Sequence, residues 1–510
     1  MRTLLLAALL ALPLPLSAQD AVVVDGELGK AIDAAVQADP ERPFWGVVLA
    51  ARGGKVVLAK GYGAADYARR PNDPRTLFEI ASTSKMFTAI AILKLEMQGR
   101  LKTADPISKF FKGVPADKKE ITVQHLLNHT SGISGEALLG YASRETAEEF
   151  VALAMKQPLS SKTGTKFEYC NPGYALLGVI IEKASGKKFE EYLREAIFKP
   201  AGMKDSGFVQ DKGLDAARAT VRRDGRKNAD VGTAIEWGWG WGYRGMGGIV
   251  TTAYDLFRFD RAMRGETILN AAAKAKHQTP AMGGFGAGCQ VATLPGGQLR
   301  VSHGGSVAGY LCTLDRFPDE DTVLIILSND QADIFGVQAR LTDALFPQPT
   351  ASLTVNLKAG RLNEHGGLVL TQGSWGAKAT ADGVALSLDS ADGAPVRVTM
   401  SRETATWLEG RLEALIREGK AAGKDDDGSM RAGVNPEGLE PKDGVLELPR
   451  VTVRIDSDYE ARDAGGQVFR DPRITVTLID RDSGRWPVLA FLSPTVAGRI
   501  SASLREALGR

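Results

Sequence analysis

Phe78-Glu-Ile-Ala-Ser82-Thr-Ser-Lys85-Met-Phe-Thr-Ala-Ile-Ala-Ile92 is the stretch on which the reading of this chain turns. It sets a serine at the start of a long apolar helix and a lysine three residues on. Positions i and i+3 share a helix face, so the Ser82 hydroxyl and the Lys85 amine can meet. A serine hydroxyl needs a neighbour to take its proton before it attacks anything. A buried lysine can serve, because desolvation and nearby positive charge favour its neutral form. The helix start adds partial positive charge and N–H groups where an oxyanion would form. From Met86 to Met97 the run is apolar on almost every face, which predicts a buried helix stopping near Gly99. Ser-x-x-Lys alone is weak and should recur about once or twice in a chain this long. Ser185-Gly-Lys-Lys188 is such a recurrence, with no apolar run after it, and reads as a surface turn.

The chain has 510 residues, enough for two or three domains. A hydrophobic fraction of 44% is ample for real cores, and a net charge of +2 argues against a nucleic-acid or membrane-surface specialist. Leu4 to Leu16 with Ala18 reads as a signal peptide over 1–18, cleaved after Ala18, so an exported protein, periplasmic or extracellular, is expected. No later segment is long and apolar enough to span a bilayer. The three cysteines, Cys170, Cys289 and Cys312, make no disulfide scaffold and read as buried free thiols, although Cys289 and Cys312 could pair.

Along the chain, a helix is expected over Ala31 to Val36, then strands over Phe44 to Ala51 and Lys55 to Tyr62 around Arg52-Gly-Gly54. A helix near Glu145 to Met155 precedes Tyr169-Cys-Asn171-Pro172. Proline suits a first helical turn, which leaves Tyr169 and Asn171 on the loop before a helix running through Ala175 to Ile181. Another helix, Phe189 to Ile197, should end at Pro200. Gly284 to Asn329 is β-rich and contains Ser302-His303-Gly304-Gly305-Ser306.

The order Ser82-x-x-Lys85, Tyr169-x-Asn171, His303-x-Gly305 resembles the serine β-lactamase-related hydrolases of class C type, a group similar to penicillin-binding proteins, D-amino-acid peptidases and carboxylesterases. The resemblance runs from about Phe44 to Asn329. It implies an α+β fold, an antiparallel sheet flanked by helices beside a helical subdomain, with the cleft between them. It also implies acylation of Ser82 and hydrolysis of the acyl-enzyme. Lys85 and Tyr169 would share the general-base work, Asn171 would bond Lys85 or the substrate amide, and the backbone N–H groups of Ser82 and Ser306 would form the oxyanion hole. A phenol titrates near pH ~10, so Tyr169 would need the Lys85 charge beside it to ionise at neutral pH.

One departure bears on substrate. β-Lactamases carry Lys-Thr-Gly or a close relative as the third motif, whereas His303-Gly304-Gly305 stands there in this chain. The literal Lys162-Thr-Gly164 precedes the second motif and is a decoy. A histidine is neutral or partly charged at pH 7 and Gly304 has no hydroxyl, which weakens carboxylate binding and favours the peptidase and esterase members. His303 would contact substrate or Tyr169. His125 and His129 lack a carboxylate to complete a metal set. Trp237, Trp239 and Trp241 either line the mouth of the cleft or pack beneath a loop.

The expected organisation is a hydrolase domain over 19–346 and a C-terminal α+β accessory domain over 350–510, of no recognised type. Its Glu403 to Ala422 reads as helix and Lys424 to Asp443 as a polar loop around Asp425-Asp-Asp427. The expected activity is hydrolysis of small amides or esters, a D-amino-acid peptide first and a carboxylic ester second, with no cofactor, no metal and no nucleic acid. The alternatives are a catalytically silent binder of cell-wall peptides and a weak β-lactamase, and a protein partner through the C-terminal domain is left open.

Overall fold

The structure is a computed structural model. It describes residues 22–66, 69–134, 144–214, 239–294, 297–330 and 334–347, and beyond these the strands and helical segments between 350 and 506. The expected signal peptide, Trp237 and the acidic triplet at Asp425 lie outside the described residues. The chain divides into two compact units, Met1–Thr293 with Gln298–Leu345, and Leu294–Gly297 with Phe346–Arg510.

The first unit opens with β1 (Val23–Val24), α1 (Gly26–Val36), β2 (Gly46–Arg52) and β3 (Lys55–Tyr62). The first helix therefore begins five residues earlier than expected. Its opening turn is polar but carries Glu27, which suits the positive helix end, and apolar periodicity does not register such a turn. Next come β4 (Phe78–Glu79), α2 (Ser84–Met97), α3 (Val123–Leu127), α4 (Ala147–Lys156) and α5 (Asn171–Ser185). α6 (Phe189–Leu193) does not stop before Pro200. It runs through a π-helical turn, Arg194–Phe198, into α7 (Lys199–Ala201), which admits Pro200 in its first turn and closes at the left-handed Gly202. β5 (Gly207–Phe208), β6 (Ile249–Thr251), α8 (Ala253–Arg264) and α9 (Ala271–Gln278) follow. The unit ends with β7 (Gln290–Thr293), β8 (Leu299–Val307), β9 (Tyr310–Phe317), β10 (Thr322–Ser328) and α10 (Ile334–Leu345).

Seven strands form one antiparallel sheet in the order β1-β3-β2-β10-β9-β8-β7. The early and late parts of the chain meet at its middle, where Gly46 lies opposite Ser328 and Arg52 opposite Thr322. Every residue of β10 is buried, so both faces of the sheet are covered. β8 and β9 join through Ala308-Gly309, both at positive φ (48° and 96°), the geometry of a tight hairpin that follows the sheet's twist.

Beside the sheet, α2 and α5 pack together within one apolar core. Ser84 to Leu93 is buried without a break, as the run of apolar residues after Lys85 requires. Met86, Phe87, Ile90, Ile92, Leu93 and Leu95 are fully buried, and each contributes about 1.5–3 kcal/mol by leaving water. All three cysteines are buried and free.

In the second unit, nine strands form an antiparallel sheet among the described residues, with the long pair Val445–Arg462 and Val468–Asp480 at its centre. Met430–Val434 is a strand inside the expected polar loop, a correction with a simple cause: its alternation spans only five residues between Asp425-Asp-Asp-Gly-Ser429 and Asn435-Pro436, and such turn-rich flanks read as loop. Helical residues occur at 404–406 and 408–410, and Arg505 pairs with Glu409 at 2.6 Å.

His277 of α9 is wholly buried, and its Nδ1 lies 2.8 Å from the Ala287 carbonyl. Desolvation first, and then the Arg316 charge, push it down to about 4. The unfolded chain therefore binds a proton near pH ~6.5 that the folded protein refuses, so stability is full above that pH and declines as pH falls toward 4. Melting curves between pH 7 and 4 should show this decline, and His277→Gln should flatten it by about one proton. An unchanged slope in the variant would rule the assignment out.

Candidate active site

Ser82 lies in a tight 3-10 turn, Ala81–Thr83, immediately before α2 rather than in the helix proper. Ala81 holds φ at +45°, a conformation that costs a non-glycine residue about 1–3 kcal/mol. The turn is fixed from both sides. Ile80 N–H donates to Ile249 O of β6 at 3.0 Å, and the Thr83 hydroxyl donates to His303 O of β8 at 3.2 Å.

Lys85 is fully buried. Its Nζ donates to Ser82 Oγ at 3.1 Å and to Met246 O at 3.0 Å, and lies 4.9 Å from the ring centre of Tyr169 and 5.8 Å from that of Tyr174. Met246 O is presented by a loop built on glycines. Gly245 has φ +79°, and a Cβ there would come within 2.4 Å of Tyr174 O. The Thr88 hydroxyl donates to Gly245 O at 2.6 Å. Arg244 anchors the same loop, donating to Glu190 and to Trp239 O at 2.7 Å each while lying against the Trp239 and Trp241 rings. Trp239 and Trp241 thus pack beneath this loop, and neither lines the cleft.

Tyr169 precedes α5 and is 38% exposed, enough to face solvent in the cleft. Cys170 caps the helix, its sulfur accepting from Gly173 N–H at 3.3 Å, and Asn171 is the first helical residue rather than part of the loop. His129, at φ +55°, stacks on Tyr169 with ring centres 4.4 Å apart. Its Nδ1 accepts from Cys170 N–H at 2.9 Å, so its proton sits on Nε2. Desolvation, then Lys85 and His303, hold this imidazole well below its usual range and keep it neutral. His129 is a positioning residue for Tyr169 that the sequence reading passed over. Its companion His125 closes a capping box with Thr122 at the start of α3.

His303 is nearly buried, 6.2 Å from Tyr169 between ring centres. Nδ1 donates to Gly304 O at 2.6 Å, so Nε2 carries the lone pair. Among the described residues Nε2 has no partner although it is buried. Desolvation, followed by Lys85, pushes His303 down to about 3, so it is a neutral acceptor at every physiological pH. A cleft of about 610 Å³ is lined by Ser82, Tyr169, His303, the strand residues Gly304 to Ser306, and an apolar wall of Leu311, Ile334 and Phe335. Ser82 and Ser306 border the same cavity, Lys85 lies behind Ser82, and Asn171 is half-buried at the helix start. Lys162-Thr-Gly164 lies in the loop before Tyr169, its lysine exposed, and takes no part in lining the cleft. Among the described residues no cluster of side chains suits a metal ion.

A serine on a strained turn, a buried lysine bonded to its oxygen, a tyrosine within reach of that lysine and an open cleft define a serine acyl hydrolase. Residues 32–345 match the family model described as Beta-lactamase. The chain belongs to the beta-lactamase family of serine hydrolases. It is 33% identical to penicillin-binding protein 4* of Bacillus subtilis over 333 residues, 60% of this chain and 73% of that protein. Among solved structures, a penicillin-binding protein from Bacillus halodurans matches at 26% identity and a TM-score of 0.54, covering 63% of this chain and all of that one. D-Amino acid amidase from Ochrobactrum anthropi, solved with D-phenylalanine, matches at 25% identity and a TM-score of 0.55, covering 63% of this chain and 99% of that one.

Two adjacent glycines offer a contrast. A Cβ on Gly305 would come within 2.2 Å of Ile80 O and 3.2 Å of Ala81 Cβ, whereas one on Gly304 would meet nothing nearer than 3.7 Å. Gly305→Ala must therefore push β8 away from the nucleophile turn, and Gly304→Ala need not. Rapid-quench acylation should show Gly305→Ala slower by about a hundredfold, the usual effect of a 1 Å misplacement, with Gly304→Ala within a few-fold of wild type. Equal rates in the two variants would contradict the packing argument.

Proposed function

We propose that this protein is an exported hydrolase that cleaves amides of D-amino acids and short D-peptides through an acyl-enzyme on Ser82. The observation that carries the reading is the 3.1 Å bond between Lys85 Nζ and Ser82 Oγ, with the Tyr169 ring on the same ammonium. Ser82 Oγ attacks the substrate carbonyl and passes its proton to the base that Lys85 and Tyr169 share, the Tyr169 phenolate ionised beside the Lys85 ammonium, which returns it to the departing amine. Water then attacks the ester on Ser82, the same pair removes its proton, and Ser82 is restored. The backbone N–H groups of Ser82 and Ser306 receive the oxyanion, and donors of this kind are worth about 2.7–4 kcal/mol each. Asn171 supports the lysine or the substrate amide from the start of α5.

His303 and Gly304 bear on the substrate class. A neutral ring and a residue with no hydroxyl offer neither a cation nor a hydroxyl donor to a substrate carboxylate, which disfavours the acid of a β-lactam. The D-amino acid amidase likeness supports amides of D-amino acids. Export is supported by the apolar Leu4 to Leu16 run followed by Ala18.

Intact mass after treatment with a fluorophosphonate should show one adduct on the wild type and none on Ser82→Ala. Lys85→Ala should acylate about 10²–10⁴-fold more slowly, the usual worth of a positioned base. D-Phenylalanine amide should be hydrolysed well ahead of its L-enantiomer, and equal turnover of the two would sink the stereochemical assignment.

A carboxylic ester is the second substrate class, favoured by Phe335, which is 69% exposed on the cleft wall. Removing this ring should cost apolar acyl groups and spare acetyl. Phe335→Ser should raise KM for an aromatic or medium-chain acyl ester about tenfold with kcat little changed, and a uniform loss across acyl groups would show that the ring does not contact substrate.

A further inference from the structure

A second groove lies in the helical part, enclosed by α4, the middle of α5 and the 110–115 loop, with a volume of about 480 Å³. It shares no lining residue with the cleft. Its position on α5 is Val179 and Lys183, roughly 12–18 Å along the helix from Asn171 at 1.5 Å per residue. The floor is apolar, formed by Phe110, Phe111, Val151, Met155 and Val179. Lys112, Lys156 and Lys183 stand on the rim, all exposed, with Glu148 as the one carboxylate among the lining residues.

Among the described residues the side chains of these three lysines make no hydrogen bond or ion pair. The rim thus carries an excess of positive charge around a surface that gains by leaving water. An occupant with an apolar body and a negative head satisfies both. The volume lies within the range of small-molecule sites, about 300–1,000 Å³, and admits one acyl chain more readily than the two of a membrane phospholipid.

We propose that this groove binds a single-chain fatty carboxylate, its chain on Phe111, Val151 and Val179 and its head among Lys112, Lys156 and Lys183. The full chain would be titrated calorimetrically with octanoate, decanoate and dodecanoate below their micelle concentrations, and with dodecyltrimethylammonium as the oppositely charged analogue. Affinity should rise about threefold to fourfold per methylene. Dodecanoate should bind at least tenfold more tightly than the cationic analogue. The triple change Lys112→Gln, Lys156→Gln and Lys183→Gln should weaken dodecanoate at least tenfold, and Glu148→Gln should strengthen it. Val151→Asp provides an independent block in the floor, and the changes at the exposed lysines keep the test valid if that variant unfolds. Equal binding of the two head charges, or unchanged affinity in the triple variant, would overturn the proposal. So would slower fluorophosphonate labelling of Ser82 in proportion to bound dodecanoate, because the ligand would then be in the cleft. A fall in sedimentation mass in the triple variant would also overturn it, by assigning the groove to a second copy of the chain.

Discussion

The constraint on which the catalytic unit depends is the burial of one ammonium. Lys85 lies with no exposed surface inside a helix whose neighbouring positions are apolar. Taking such a charge out of water costs several kcal/mol, and the structure must return that energy locally. It does so with the Met246 carbonyl, the Ser82 hydroxyl and the faces of Tyr169 and Tyr174. A cation over a desolvated aromatic face is worth up to about 2 kcal/mol, so the tyrosines are part of the compensation as well as part of the cleft. Two imidazoles nearby, His129 and His303, are kept neutral by their own burial first and by the same charge second.

Much of the remaining architecture serves to bring backbone groups close to that point. The loop carrying Met246 reaches the lysine because Gly245 passes beneath Tyr174 O, and because Gly178 leaves room for the Trp241 ring. Strand β8 reaches the nucleophile turn because Gly305 has no side chain to strike Ile80 O. Arg244, tied to Glu190 and lying against two indoles, keeps the loop from relaxing. These residues set the distances between Ser82, Lys85 and Tyr169, and of them Gly305 also borders the cleft.

The parts of this arrangement carried by side-chain type were legible in the sequence. A serine and lysine three apart before an uninterrupted apolar run, a tyrosine two before an asparagine, and a histidine in a glycine-rich strand named the family and its antiparallel fold. The parts carried by backbone were not. The Met246 carbonyl has no signature, because every residue possesses one. The 3-10 turn at Ser82 was hidden by the apolar helix that follows it. The side chain that stacks on Tyr169 belongs to His129, forty positions earlier, which the sequence offered only as one of a histidine pair lacking a metal set. In the second unit, the strand Met430–Val434 escaped because its five alternating residues are enclosed by loop-forming Asp, Gly, Ser, Asn and Pro. The tautomer of His303, which decides what kind of group it can meet, follows from a single contact with Gly304 O that no sequence reports.

The pairing of β2 with β10 has a consequence for how this molecule comes into being. The middle of its main sheet joins Gly46–Arg52 to Thr322–Ser328, and the Ser328 hydroxyl donates to the Trp45 carbonyl 283 positions away. Contacts of such long sequence separation form slowly, since closing the intervening loop costs entropy before any strand pairing offsets it. On a ribosome, β2 and β3 emerge as a hairpin whose free edge waits for a partner that has not been synthesised. Until residue 328 is available the catalytic unit lacks the middle of its sheet, and β8, which backs the serine turn, lacks the complete β9–β10 pair that ties it to β2. A nascent chain of this protein therefore carries Ser82 and Lys85 long before it can assemble the cleft beside them.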